Sequence, residues 1–374
     1  MVVVTICRET MAVSDAEEVR RQSDVDGEVV PTDPQSDGSP KSKKLKTDAT
    51  STIAEFGEII NQGTKVTSVS DLDDVCAKQD RSVCYYLNSG DVVKSCIDNE
   101  CILGIDEAGR GPVLGPMVYG IAFIPKKYEN DLKTLGCDDS KALTEEKREK
   151  IFDQMGQLAD KIGFEAKVIA PNYISNCMLR RVKTSLNEIS HDAAIELVKR
   201  ALARGANITE IFVDTVGPAE KYQDKLQAIF PRQIVTVRSK ADSLYAVVSA
   251  ASIVAKVTRD VTIRTWDLSK IGDSKASDWG SGYPNDPATK TFLKSTCDPI
   301  FGFSDIVRFS WSTAEKVLEE NAITVDWEED ESDPKGGKGT RKINKFFSSG
   351  TVDLTAKEQH RFFKERQLSS VIDF

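Results

Sequence analysis

Apolar and polar positions fall into two regimes along the chain. Up to about residue 50 no apolar periodicity persists, Ser, Asp, Glu and Pro dominate and aromatics are scarce, so residues 1–50 read as a disordered tail that cannot bury enough surface to offset its chain entropy. Residues 51–100 carry no clear pattern and read as a partly ordered extension leading into a core. From residue 101 the texture changes. "CILGIDEA", "GPMVYGIAFIP", "FEAKVIA", "ITEIFVDTVG" and "QIVTVRSKAD" are short runs of bulky residues bounded by Gly, Pro or acids, the signature of five strands. Helical patterns lie among and after them. "LTEEKREKIFDQMGQLADKIG" has Thr144 as a candidate N-cap and Gly163 as a candidate stop. In residues 187–204 the positions Ile189, Ala193, Leu197, Val198 and Ala201 recur at spacings of three and four, and Gly205 ends the run. "PAEKYQDKLQAIF" opens on Pro218, and "LYAVVSAASIVAKVTRDVTIRTW" predicts a long helix of small residues suited to close packing on a sheet. A last helix follows Trp311 to about residue 322. Strands alternating with helices predict an α/β domain over residues 101–322 with a helical C-terminal part. Residues 323–374 turn acidic, "DWEEDESDP", and then basic, "KGGKGTRKINKFFSS". They read as a tail outside that domain. No repeat recurs at a period of 20–50 residues.

Three of the predicted strands end in carboxylates: Asp106 with Glu107 on the first, Asp214 on the fourth, and Asp242 just after the fifth. In α/β sheets, loops at strand ends carry function while the sheet holds them still. If these strands are neighbours the acids converge, an arrangement that is costly unless cations neutralise it. A set made only of oxygen donors suits two hard divalent ions, magnesium or manganese, and a pair of such ions is a known device for phosphodiester hydrolysis. On pattern alone the alternative stays open that each acid is a separate cap or ion-pair partner. The glycines after the first pair add to the picture. In "GIDEAGRGPVLGP", Gly109 and Gly111 let the backbone approach a ligand, and the planar guanidinium of Arg110 between them suits phosphate.

Composition narrows the classes. Of 374 residues, 40% are hydrophobic and 29% charged, and no window approaches the roughly 18 consecutive apolar residues of a membrane span, so a soluble chain without membrane contact is expected. The apolar start "MVVVTICRET" lacks the parts of a secretory signal. Eight cysteines without a CxxC pair argue against a zinc cage or redox dithiol. The two histidines, His191 and His360, remove most histidine-dependent chemistry; His191 lies in a helical pattern and reads as structural. A net charge of −9 disfavours indiscriminate adhesion to nucleic acid but allows a local basic groove. Lys41, Lys43, Lys44 and Lys46, clustered in the tail, read as a nuclear address, with a merely solvated charge run as the alternative.

Seven ordered stretches between about residues 101 and 320 resemble one family, the catalytic subunits of eukaryotic type 2 ribonucleases H. They are "LGIDEAGRGPVLGPMVYG", "DSKAL", "SLNEISHD", "FVDTVG", "KADSLYAVVSAASIVAKVTRD", "GSGYPNDP" and "FGFSDIVRFSWSTA". The resemblance implies a ribonuclease H-like fold, with a mixed five-stranded sheet flanked by helices and a C-terminal helical region. It implies that Asp106, Glu107, Asp214 and Asp242 are the catalytic, metal-binding set. Gly109, Arg110 and Gly111 then look like the loop that reads a ribose 2′-hydroxyl, and Tyr283 like the tyrosine that stacks on the adjoining sugar. By the same resemblance Lys141 would contact phosphate or balance charge, and Asn187 and Arg308 would contact the nucleic-acid backbone. The implied activity is metal-dependent hydrolysis of RNA in RNA·DNA hybrids, as in primer removal, and cutting 5′ of single ribonucleotides in duplex DNA, leaving a 3′-hydroxyl and a 5′-phosphate. Two accessory subunits in a heterotrimer are implied as partners, with residues 323–374 as the segment that docks them. "TRKINKFF", with Ile343, Phe346 and Phe347, looks like a sliding-clamp-binding peptide in which Thr340 stands in place of the usual glutamine; packing against a partner subunit or against the domain itself stays open as the other reading. Two rivals remain: a magnesium-dependent phosphotransferase with Asp214 as nucleophile, and a hybrid-binding subunit without catalysis.

Overall fold

A computed structural model describes residues 63–137, 143–215, 217–267 and 279–323, all within the compact unit that ends at Thr324. The N-terminal tail with its lysine cluster, Lys141, and the C-terminal segment with Ile343, Phe346 and Phe347 lie outside these residues.

In chain order the elements are β1 (Thr64–Lys65), α1 (Val69–Lys78), β2 (Tyr85–Asn88), α2 (Lys94–Asp98), β3 (Cys101–Ala108), β4 (Met117–Pro125), α3 (Glu129–Thr134), α4 (Glu145–Gln157), β5 (Gly163–Ile169), α5 (Pro171–Leu179), α6 (Leu186–Ala203), β6 (Ile208–Asp214), α7 (Ala219–Ile229), β7 (Ile234–Arg238), α8 (Ala246–Arg264), α9 (Pro287–Thr296) and α10 (Ser312–Asn321). The strands form one sheet in the order β1-β2-β5-β4-β3-β6-β7. Its centre is the expected mixed five-stranded sheet. β4 pairs antiparallel with β3 and β5, whereas β6 runs parallel to both β3 and β7. β2 pairs antiparallel with β5 and β1 parallel with β2, so residues 64–88 extend the sheet at one edge.

Alternation along the strands divides the core into two layers. Leu103 and Ile105 of β3, with Met117 and Ile121 of β4, face a cluster completed by α6 and α7. Ile102 and Ala108, with Val118 and Ala122, face the opposite cluster, centred on α8. The small residues of α8 let it lie directly on the sheet. A side chain at Gly120 would come within 2.6 Å of the Ala251 carbonyl, and one at Gly104 would collide with the Val247 carbonyl. A third cluster, built from Val113, Leu114, Phe292, Leu293 and Val317 among others, seats α9 and α10 beside the loop after β3.

Helix starts follow local chemistry. Ser185 accepts from the Glu188 N–H at 3.2 Å while Glu188 accepts from the Ser185 N–H at 2.6 Å, a reciprocal cap that fixes where α6 begins. Thr144 caps α4 as expected. Gly163 does not end that helix: α4 stops at Gln157, and Gly163 opens β5 at a point where the Phe123 ring leaves no room for a side chain.

Candidate active site

β3, β6 and β7 run parallel, so their C-terminal ends reach the same edge of the sheet. Asp106 and Asp214 lie one residue beyond the last paired position of β3 and β6, Ile105 with Val213. The period-two pleat sends Asp106 to the α8 face and Glu107 to the α6 face, so the adjacent acids diverge across the sheet. Asp106 is 5% exposed. Its Oδ1 accepts the Glu107 N–H at 2.8 Å, and it also accepts from Ser252 on α8. Burial pushes its carboxyl up to about 7, and the charge of Asp214 adds to that, against opposing pulls from Ser252 and Lys256. Ser252 and Lys256 sit four residues apart on α8 and so share one helix face.

Glu107 is likewise raised to about 7 by burial, then by the charge of Asp106 and of Asp214, while Arg110 and a hydrogen bond from Tyr119 pull it down. Asp214 accepts the Ala241 N–H at 2.9 Å, which fastens the 3₁₀ turn Ala241–Ser243 to the end of β6. That turn follows Lys240, whose φ of 59° reverses the chain, and it carries Asp242, which is 1% exposed. Burial thus gathers carboxylates of one sign at one sheet edge. Among the described residues, no three His, Cys, Asp or Glu side chains already form a coordinating cluster.

The loop after β3 borders this edge. Gly109 has a φ of 77°, and a side chain there would collide with Arg259 and lie 2.7 Å from the Pro116 carbonyl, so only glycine fits. Arg308 is wholly buried and donates to the carbonyls of Gly109 at 2.6 Å, Arg110 at 3.0 Å and Gly115 at 2.9 Å, with its guanidinium 4.9 Å from the Trp311 ring centre. This corrects the expected backbone contact. Arg308 sits inside the protein, where burial lowers its guanidinium to about 9, and it shapes the loop from within. Trp311 adds a fourth tie, from Nε1 to the Gly111 carbonyl at 3.2 Å.

Arg110 donates to Ser190 Oγ at 2.6 Å and to Asn187 Oδ1, both on the first turns of α6. Asn187 is therefore a partner of Arg110 on the exposed side of the loop. Tyr283 is 53% exposed, and its ring stands beside Gly111, 3.2 Å from where a side chain there would begin. Gly282 holds that position by accepting the Val113 N–H at 2.8 Å. His191 stacks on Tyr222 with ring centres 3.9 Å apart. Sequence patterns alone do not single out Tyr119, Ser190, Ser252 or Lys256. The signal for Tyr119 is its place in "GPMVYG", legible only once the hairpin register sets it opposite Glu107.

Comparison with known proteins bears on the same residues. The family model described as Ribonuclease HII matches residues 103–314. A ribonuclease H2 subunit of Mus musculus is 48% identical over 282 residues, which span 75% of this chain and 93% of that protein. The corresponding ribonuclease H2 subunit of Homo sapiens is also 48% identical over 282 residues, with the same shares covered. Among solved structures, ribonuclease H2 from Pyrococcus horikoshii OT3 superposes with a TM-score of 0.50 at 35% identity, covering 59% of this chain and 98% of that one. A family match that takes in every strand from β4 to β7 and all but two residues of β3, together with near-half identity across three quarters of the sequence, means that the chain belongs to the ribonuclease HII family.

Proposed function

We propose that Asp106, Glu107, Asp214 and Asp242 are the catalytic set of an endoribonuclease that hydrolyses the RNA strand of RNA·DNA hybrids and cuts on the 5′ side of single ribonucleotides embedded in duplex DNA. The observation that carries this reading is the end of β3, where buried Asp106 and half-buried Glu107 are each raised to about 7 in a site that also feels Asp214. Such a site is under-neutralised by the protein alone. Its donors are all carboxylate oxygens, with neither imidazole nor thiolate, which fits magnesium or manganese. Asp106 and Asp214 would hold two such ions between them, with Glu107 and Asp242 completing the set. Bound divalent ions supply the neutralising charge for the scissile phosphate and ease ionisation of the attacking water.

The remaining work falls to the chain. Arg308 and Trp311 turn the carbonyls of residues 109–111 inward, so the loop reads the ribose 2′-hydroxyl through its N–H groups. Tyr283, exposed beside Gly111, stacks on the adjoining sugar. Water is the nucleophile and no side chain becomes covalently attached, which leaves a 3′-hydroxyl and a 5′-phosphate. Lys141, in "DSKAL", contacts phosphate. The relatives are called subunits, which supports assembly with accessory subunits; we take these to be two, in a heterotrimer, docked on the C-terminal segment. The lysines at 41–46 direct the chain to the nucleus, where it removes primers and misincorporated ribonucleotides, and "TRKINKFF" meets a sliding clamp.

The full chain, with accessory subunits where it is purified with them, should cut an RNA strand paired with DNA in magnesium. It should leave the same strand intact in EDTA and leave an all-DNA duplex intact throughout. Binding of the hybrid without cutting in magnesium would overturn the reading, as would a trapped aspartyl-phosphate on Asp214.

A further inference from the structure

Two arginines lie against the glycine loop after β3, and the fold makes full use of only one. Arg308 donates to three of its carbonyls, at 2.6 to 3.0 Å. Arg259 comes to the same loop from the last turns of α8. A side chain at Gly109 would collide with its Nε and lie 2.5 Å from its Cδ, so the loop backbone rests directly on this arginine. Yet its hydrogen bonding there is poor. Nη2 reaches the Leu114 carbonyl at 3.5 Å, the far limit of a hydrogen bond, and Nε is buried with no partner. Asp260, the next residue, is paired instead with Arg148 at 3.0 Å, and among the described residues no carboxylate lies within ion-pair distance of Arg259. A buried donor left unpaired costs free energy, and a charge without a counter-ion costs more. Packing calls for neither, since methionine would fill the space beneath Gly109 with a similar stem.

We propose that Arg259 is a positioning residue whose counter-ion is the substrate: it seats Gly109 and holds an uncompensated positive charge beneath the loop, for the phosphodiester of the bound ribonucleotide strand. This rests on the function proposed above, which turns the N–H groups of residues 109–111 toward the ribose. The phosphate next to that ribose is an anion arriving at a sheet edge that already gathers Asp106, Glu107, Asp214 and Asp242, in a chain of net charge −9. A local positive field is needed to draw it in. Arg259 is half-buried, so salt screens its charge less than that of a surface lysine, and it acts across the loop backbone. The two arginines thereby divide the work. Arg308 satisfies the loop's carbonyls and fixes its shape, whereas Arg259 keeps its charge available.

The test uses the full-length chain with Arg259→Met and Arg259→Lys, reading the melting temperature without substrate, kcat and KM on a ribonucleotide-containing duplex, and the salt dependence of RNA·DNA hybrid binding in EDTA. Because the fold leaves this charge unsatisfied, Arg259→Met should melt at or above the parent. It should raise KM about tenfold, the scale of one charge-assisted contact, with a smaller effect on kcat, and reduce the salt slope of hybrid binding by about one. Arg259→Lys, which keeps the charge, should restore the slope. Arg259→Met that binds the hybrid with the parent's affinity and slope would overturn the proposal. So would one that fails to fold or melts well below the parent, since the residue would then be a structural brace, and so would a lysine variant no better than the methionine one. If the parent chain does not cut at ribonucleotides the function proposed above falls, and the salt slopes measured in EDTA still judge the charge.

Discussion

At the end of β3, Asp106 carries a charge that its own surroundings oppose. An ordinary aspartate has a pKa of 3.8, whereas Asp106 is raised to about 7 in the folded, metal-free protein. Below both values the two states hold the proton alike; between them the unfolded chain ionises first, so stability falls as pH rises from 3.8 to about 7 and then levels off. Each unit of pKa corresponds to about 1.4 kcal/mol, so the penalty above neutral pH reaches a few kcal/mol. Asp106→Asn in EDTA should therefore melt higher than the parent at about pH 8 and little differently at about pH 4, while cutting nothing in magnesium. A variant that melts lower than the parent at the alkaline end would contradict this account of the site. Arg308 shows the opposite relation between sequence and role. Its residue type suits phosphate, so from sequence it reads as a substrate contact, but burial and three carbonyl partners make it an internal brace. Arg308→Met should cost roughly 3–5 kcal/mol in chemical denaturation, because the carbonyls it serves lose their donors. A phosphate contact would instead leave stability alone and reduce the salt slope of binding by about one.

Among the elements, α8 does most to set the acids in place. It covers the face of β3 and β4 that bears Asp106 and presents Ser252 to that carboxylate, and Gly104 and Gly120 permit the close approach. Gly104→Val should push helix and strand apart, at a cost of about 1–3 kcal/mol or more, and should lower the denaturation midpoint and the cleavage rate together. Unchanged activity at a reduced midpoint would mean that the α8–β3 spacing does not set the Asp106 geometry. The strands that end in acids are legible in the sequence because a bulky apolar run followed abruptly by a carboxylate is a strong local contrast. Gly163 reads wrongly as a helix stop because a glycine after an amphipathic run resembles one; its actual reason is the ring of Phe123 on the neighbouring strand, which no local pattern reveals. β2 escapes notice for a related reason. It is only four residues long, Tyr85–Asn88, and its identity as a strand comes from pairing with β5.

For the whole molecule, the central five strands and their long helices are legible in the sequence, since alternation and periodicity are properties of contiguous residues. The sheet edge built from residues 64–88 is not, because its stability is tertiary: Leu72, Cys76, Tyr85 and Leu87 join the same buried cluster as α8. Arg204 reaches the Gly90 carbonyl and, with Arg200, the buried Glu165, tying that edge to β5 and α6. A chain begun at residue 101 should therefore expose an apolar face, with insoluble expression or loss of a cooperative melting transition as the readout; a soluble, cooperatively melting fragment would show the edge to be dispensable. The candidate site is legible to the level of four acids and a glycine loop, whereas the place of Tyr119 opposite Glu107 needs the hairpin register. All of this converges on one claim, that carboxylates gathered at the ends of parallel strands cut beside a ribose with the help of divalent ions. The most direct measurement is cleavage of duplex DNA carrying a single embedded ribonucleotide, by the full chain and by Asp214→Asn, in magnesium and in EDTA. The account predicts a single cut 5′ of the ribonucleotide by the parent chain in magnesium alone, and no cut by a folded Asp214→Asn; cleavage that persists in EDTA, survives Asp214→Asn, or ignores replacement of the ribonucleotide by its deoxy form would contradict it.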